Sequence, residues 1–278
     1  MGNEWKLRTR TLTAGRVPLL MGVVNVTPDS FSDGGRFFEP AAAVEHGLRL
    51  AGEGADLLDI GGESTRPGAE PVSPGEELRR VMPVIDRLQG AGLPLSIDTS
   101  KAEVAREALA AGVEVINDIT ALAADPAMPS LAAASGCGVV AMHMLGNPRS
   151  MQQHPVYRDV VGEVLDFLRR RRDALLAAGI QQQRIALDPG IGFGKTTAHN
   201  LALLRTIGQF QALGCPLVLG VSRKRFIGQV LGDPAAERTF GTIGAALAAA
   251  RQGVQVLRVH DVAAVRQALR LFEAAGGL

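Results

Sequence analysis

Aromatic residues are scarce in this chain and net charge is almost absent. Phe, Trp and Tyr make up 4% of its 278 residues, with a single Trp and a single Tyr. The core must therefore be built from Ala, Val, Leu and Ile, which suit closely packed strands and helices. The formal net charge is +1. That balance supplies no global field to attract nucleic acid or an anionic membrane surface. Only Cys137 and Cys215 carry thiols. They lack metal-ligand spacing and read as buried, reduced side chains. His46, His143, His154, His199 and His260 show no paired spacing, which argues against a zinc site. No apolar run approaches the roughly 20 residues that span a bilayer. The opening MGNEWKLRTR has no apolar segment of the secretory type. A cytoplasmic protein with neither a nucleic-acid nor a membrane partner is expected.

What is present is a repeated pattern. Short apolar runs occur at 19–27, 57–65, 93–101, 113–120, 139–144, 185–190, 217–224 and 254–261. Nearly all end in a charged, amide or hydroxyl-rich signature, and each precedes a stretch able to form a helix. Continuous apolar strands indicate a parallel sheet covered on both faces. Eight such units in a chain close to the roughly 250 residues of a β/α barrel predict one α/β domain over 1–278, a single (β/α)8 TIM barrel. An open doubly wound sheet is the rival, but it concentrates its ligand at one switch point. Polar signatures on almost all the strands favour closure. Residues 1–18 precede the first barrel strand, and TLTAGR suggests a hairpin across the barrel bottom.

Helices are expected at about 40–53, 74–90, 101–111, 126–136, 155–178, 198–213, 235–251 and 261–274. Pro40, Pro74 and Pro126 suit first-turn positions, and Asp125 suits an N-cap. Gly54, Gly112, Gly179 and Gly253 suit left-handed stops. Two βα loops, 27–39 and 61–75, are long and rich in Gly, Pro, Ser and acidic residues. Loops of that kind usually act as lids or binding loops.

The chemistry should gather at the carboxyl ends of the strands. Asp98, Asn117 and Asp188 end the third, fourth and sixth runs. A carboxylate can accept from adjacent N–H donors, and an amide both accepts and donates. Together they suit the mixed edge of a flat heterocycle. Arg223 and Lys224 follow the seventh run, while Arg258 and His260 end the eighth. The loops after strands seven and eight are a frequent phosphate site in such barrels, and these cations suit phosphate. Asn25 ends the first run, next to the eighth on closure, and its neutral oxygen suits Mg²⁺ shared with phosphate. GIGFGKT at 190–196 imitates a nucleotide phosphate loop, but its first glycine lies one residue too close to Gly-Lys.

These motifs in order resemble those of the bacterial dihydropteroate synthase family. They are NVTPDSFSDGG at 25–35, GESTRPG at 62–68, IDTSK at 97–101, ND at 117–118, MHM at 142–144, DPGIGF at 188–193, SRK at 222–224 and RVHD at 258–261. The resemblance runs from about residue 17 to the C-terminus. It implies a barrel that joins p-aminobenzoate to 6-hydroxymethyl-7,8-dihydropterin diphosphate, releasing diphosphate and 7,8-dihydropteroate in folate biosynthesis. It implies that Asp98, Asn117, Asp188 and Lys224 hold the pterin, and that Asn25 ligates Mg²⁺. It places Thr65, Arg258 and His260 on the diphosphate, and Phe31, Arg66, Pro67 and Phe193 around the aminobenzoate. Lys224, Arg258, His260 and Asp98 would carry the catalysis. It also implies a homodimer.

Two departures stand out. Arg225 occupies a position where the family often has serine, and 120–122 reads Thr-Ala-Leu where Gly-Gly is common. Two other readings remain, a pterin-binding methyltransferase domain and a pterin-binding paralogue without turnover. The first has no need of a diphosphate cage. The second predicts broken loop motifs, which this chain lacks.

Overall fold

The computed structural model describes residues 4–27, 40–65 and 68–278. Phe31, Arg66, Pro67 and most of the first long loop lie outside the described residues. The chain begins with strands β1 (Glu4–Lys6) and β2 (Thr11–Thr13), paired antiparallel as a hairpin. Eight barrel strands follow. They are β3 (Leu19–Asn25), β4 (Leu57–Gly61), β5 (Leu95–Asp98), β6 (Val115–Asp118), β7 (Gly138–Met142), β8 (Ile185–Asp188), β9 (Val218–Gly220) and β10 (Val256–Val259). All pair in parallel, in the order β8-β7-β6-β5-β4-β3-β10-β9. The ends of that order meet at a parallel bridge between Leu187 and Leu217, with Leu187 N donating to Pro216 O at 2.9 Å. This is the expected (β/α)8 barrel.

Side chains alternate across each strand. On β4, Leu58 and Ile60 pack outward against the helices, so Leu57 and Asp59 face the barrel interior. The lower barrel interior holds an apolar cluster: Met21, Leu57, Val115, Val140, Ala186, Val218 and Val256. Trp5 and Leu7 from the hairpin close it from below, and Trp5 Nε1 donates to Arg184 O at 3.0 Å. The hairpin does cover the bottom, with Thr11–Thr13 as its second strand. Above that floor the interior turns polar, with Asp59, Ser96, Asn117 and Asp188 all buried. Cys137 and Cys215 are buried just before β7 and β9, on the rim opposite the polar ends.

Helices α1 (Pro40–Gly52), α2 (Pro74–Leu88), α3 (Ala102–Ala110), α4 (Met128–Ser135), α5 (Val160–Ala177), α6 (Thr197–Thr206), α7 (Arg225–Leu231), α8 (Thr239–Arg251) and α9 (Val262–Ala274) pack outside. Pro40 and Pro74 open their helices, and the four expected glycine stops all have positive φ. Three expectations are corrected. Asp125 does not cap α4, which starts later. Its carboxylate accepts from Ala102 N at 2.8 Å, at the start of α3, and from Ala127 N at 2.9 Å. Helix α5 starts at Val160 rather than near 155, with Asp159 as its N-cap, so residues 143–159 form a third long rim loop. Helix α7 lies where no separate helix was expected.

Candidate active site

Strand register brings the polar ends to one level. Asn25 pairs with Gly61, Gly61 with Asp98, and Asp98 with Asn117 around the mouth. Above them opens a cavity of about 1110 Å³. Asn25, Thr65, Asp98, Phe193, Lys224, Arg258 and His260 all line it. Asn117 and Asp188 do not line it, but they sit at the interior ends of β6 and β8. Each of these anticipated residues within the described part therefore lies at the barrel mouth.

Arg258 is the electrostatic centre. Its Nε donates to Asp59 Oδ2 at 2.6 Å and its Nη2 to Asp98 Oδ2 at 2.8 Å. Asn117 Nδ2 donates to the same Asp59 oxygen at 3.0 Å. Burial works against the Arg258 charge, but Asp59 and Asp98 more than offset this and hold its pKa above the ordinary arginine value. Burial raises the Asp98 pKa, with Arg258 opposing and Asp59 reinforcing the shift. Asp59 is fully buried, and its Oδ1 has no hydrogen-bond partner. Sequence reasoning missed Asp59. The available signal was a lone charge at an inward-facing position of an apolar strand, where burial without pairing is costly.

The other side of the mouth belongs to Lys224 and Asp188. Burial lowers Lys224 to about 8, with the Asp188 carboxylate opposing the shift. Burial likewise raises Asp188, whose Oδ1 accepts from Gly190 N at 2.7 Å. The Lys224 amine donates to Ile191 O and sits 4.7 Å from the Phe193 ring centroid, a cation–π contact. Asp188 and Lys224 thus offer an acceptor and a donor side by side.

The anion side is less crowded. His260 Nδ1 lies 3.0 Å from Ser222 Oγ, which also accepts from His260 N at 3.2 Å. Arg223 is turned outward into an exposed ion pair with Asp261, its Nε 3.0 Å from Oδ2. It still lines the cavity alongside Lys224. Arg225 is exposed and lines the cavity at the start of α7. Met151, Gln152 and Pro155 of the third rim loop complete the outer wall.

At 120–122 the backbone makes a left-handed turn without glycine. Ala121 and Leu122 take positive φ values of 56° and 60°. The Asp118 carboxylate holds them there, accepting from Thr120 N at 2.7 Å and Leu122 N at 3.1 Å. Its pKa is pushed up to about 6 by burial against these hydrogen bonds.

A barrel mouth with paired acceptors and donors beneath an open cationic cavity defines a binder of flat polar heterocycles. The chain belongs to the pterin-binding enzyme family, whose profile matches residues 21–260. The dihydropteroate synthase of Neisseria meningitidis serogroup B is 50% identical over 265 residues, 93% of each chain. The solved structure of Xanthomonas albilineans dihydropteroate synthase with 4-aminobenzoic acid superposes with a TM-score of 0.91 at 50% identity, covering 100% of both chains. The same organism's enzyme in complex with 7,8-dihydropteroate gives a TM-score of 0.87 at 47% identity, covering 99% of both.

Proposed function

We propose that this chain is a dihydropteroate synthase, a transferase that condenses 6-hydroxymethyl-7,8-dihydropterin diphosphate with p-aminobenzoate. The observation that carries this reading is the joining of two subsites in one mouth. The buried Asn117 and Asp188 with the half-buried Asp98 and Lys224 suit a heterocycle, and the open cavity is also lined by Thr65, Arg258, His260 and Phe193. Asp98 and Asp188 accept from the pterin ring N–H groups, while Asn117 and Lys224 supply its donors. Thr65, Arg258 and His260 face the diphosphate. Arg258 keeps further N–H donors beyond those given to Asp59 and Asp98, so it can serve both sides. Phe193, with Phe31, Arg66 and Pro67 from the two long loops, shapes the arylamine pocket.

The residues fit Mg²⁺. Asn25 offers a half-buried amide oxygen on the cavity wall, and among the described residues no cluster of three or more His, Cys, Asp or Glu could hold a metal. A hard cation that keeps its waters and shares phosphate oxygens needs few protein ligands. Bound there, it would offset charge on the departing diphosphate. Thr65, Arg258 and His260 would stabilise the same developing charge by hydrogen bonds. The C–O bond breaks as the electron-rich pterin ring stabilises the methylene carbon. The neutral arylamine nitrogen then attacks that carbon and loses its proton. No strong base is required, so a triad of nucleophile, histidine and acid is not needed. Closure of the rim loops would exclude water from this step.

A homodimer is part of the reading. Val230 and Leu231 on α7 and Phe240 on α8 leave large apolar surface exposed, Phe240 to 83%. No helix among the described residues is long and apolar enough to cross a membrane, in keeping with a cytoplasmic location. The test of the reading is direct detection of 7,8-dihydropteroate by mass spectrometry after incubation with both substrates and Mg²⁺. Its formation is expected. Recovery of both substrates unchanged would overturn the reading.

A further inference from the structure

The sequence that imitates a phosphate loop, 190–196, folds in a way that hides its lysine. Lys195 is 2% exposed. Its amine turns back into its own loop, donating to Gly190 O at 2.9 Å and Phe193 O at 3.0 Å. It also lies 2.8 Å from His143 Nδ1 and 3.5 Å from His143 O. Burial pushes His143 down to about 3, so the imidazole is neutral and its Nδ1 lone pair faces the amine. The amine thus fills a cage of protein acceptors and has no room for a nucleotide.

Side chains from several elements hold the remaining carbonyls of this loop. Lys224 takes Ile191 O. Gln152 Nε2 takes Gly192 O at 2.6 Å, and the Tyr157 hydroxyl takes Gly194 O at 2.9 Å. The amide of Gly192 donates to Asn200 Oδ1 at 2.7 Å. Gly190 and Gly194 have φ values of 69° and 63°, which turn successive carbonyls to different partners. A Cβ at Gly190 would stand 1.9 Å from His143 O, so this approach requires glycine. The loop carries Phe193 into the cavity and fixes the Lys224 amine through Ile191.

We propose that Lys195 is a positioning residue whose buried amine clamps the 190–194 loop and so sets Phe193 for the arylamine. Its side chain borders the cavity, but its amine is engaged by Gly190 O, Phe193 O and His143 rather than offered to a substrate. Direct bonds run to the carbonyls on either side of the Phe193 arm, so the arylamine subsite depends on it most. This inference rests on the reading of the site as a pterin–arylamine transferase.

The test is Lys195→Met, which keeps the side-chain length and removes the donor. Hydrogen exchange at 190–194 is read first, without substrate. It is expected to quicken by about tenfold or more, as for a loop that has lost its anchor. Steady-state kinetics is read second. KM for p-aminobenzoate is expected to rise about tenfold, with kcat and KM for the pterin diphosphate within about threefold, the pattern of one lost binding subsite. Added ethylamine should partly restore that KM in Lys195→Ala. Unchanged exchange, or equal damage to both KM values, would overturn the proposal. If Lys195→Met does not fold, Tyr157→Phe combined with Gln152→Ala removes two outer carbonyl bonds instead. The same split is then expected at about threefold, and its absence overturns the proposal. Failure of the wild-type chain to turn over would sink the transferase reading alone, because exchange still reports on the clamp.

Discussion

Asp59 Oδ2 accepts from Arg258 and Asn117 together, below the level of the cavity. It therefore orients one residue assigned to the diphosphate and one assigned to the pterin. Removing one partner from a buried ion pair leaves the other uncompensated. Asp59→Ala is expected to lower unfolding stability by about 3 kcal/mol, measured by urea denaturation, and to depress kcat/KM as Arg258 swings toward Asp98. Stability and activity close to wild type would show that the pair is dispensable. The residues at strand ends were legible because polar side chains stop apolar runs. Asp59 was not, because it sits inside the run LLDIG, where the run as a whole reads as apolar. The backbone at Ala121 and Leu122 was equally hidden. Nothing in Thr-Ala-Leu signals left-handed residues, since their conformation comes from the Asp118 carboxylate below them.

Among the elements, the N-terminal hairpin acts as a stopper. Trp5 is buried against the apolar cluster of the lower barrel and lies at the opposite end from the cavity. Trp5→Ala is expected to destabilise the protein by about 3–5 kcal/mol through loss of buried area and the cavity left behind. Both KM values should stay within about twofold, because distant sites act independently. Chemical unfolding and steady-state kinetics on one preparation check this. A large KM change with little loss of stability would contradict it. Barrel strands and most helices were legible from apolar runs and Gly/Pro punctuation. The short helix α7 was not, because RFIGQVL begins directly after Lys224 and is too brief to show a helical period. The late start of α5 was masked by apolar residues ahead of Asp159, although Pro155 and that aspartate mark the boundary.

Across the whole molecule, burial of cations at the barrel mouth links folding to protons. Lys224 is lowered from 10.5 to about 8 and Lys195 from 10.5 to about 7, in both cases chiefly by burial. A lysine whose folded pKa is depressed holds fewer protons in the folded than in the unfolded state. Its contribution is present above pH 10.5, and it is lost as pH falls through about 8 for Lys224 and about 7 for Lys195. Wild-type stability should therefore gain on that of Lys224→Met as pH rises from about 8 toward 10.5. Parallel stability curves for the two proteins would contradict this. Closure of the barrel was legible from the eight polar strand ends. The inward network that loads its centre with charge was not, because it joins residues far apart in sequence, such as Asp59 and Arg258.

The central claim is that one barrel mouth couples loss of diphosphate to capture of an arylamine. Diphosphate release tests it most directly, with pterin diphosphate, Mg²⁺ and p-aminobenzoate supplied together and each omitted in turn. The account predicts release that requires all three and matches dihydropteroate formation mole for mole. Pterin binding by calorimetry without any release, or release that proceeds equally well without the arylamine, would contradict it.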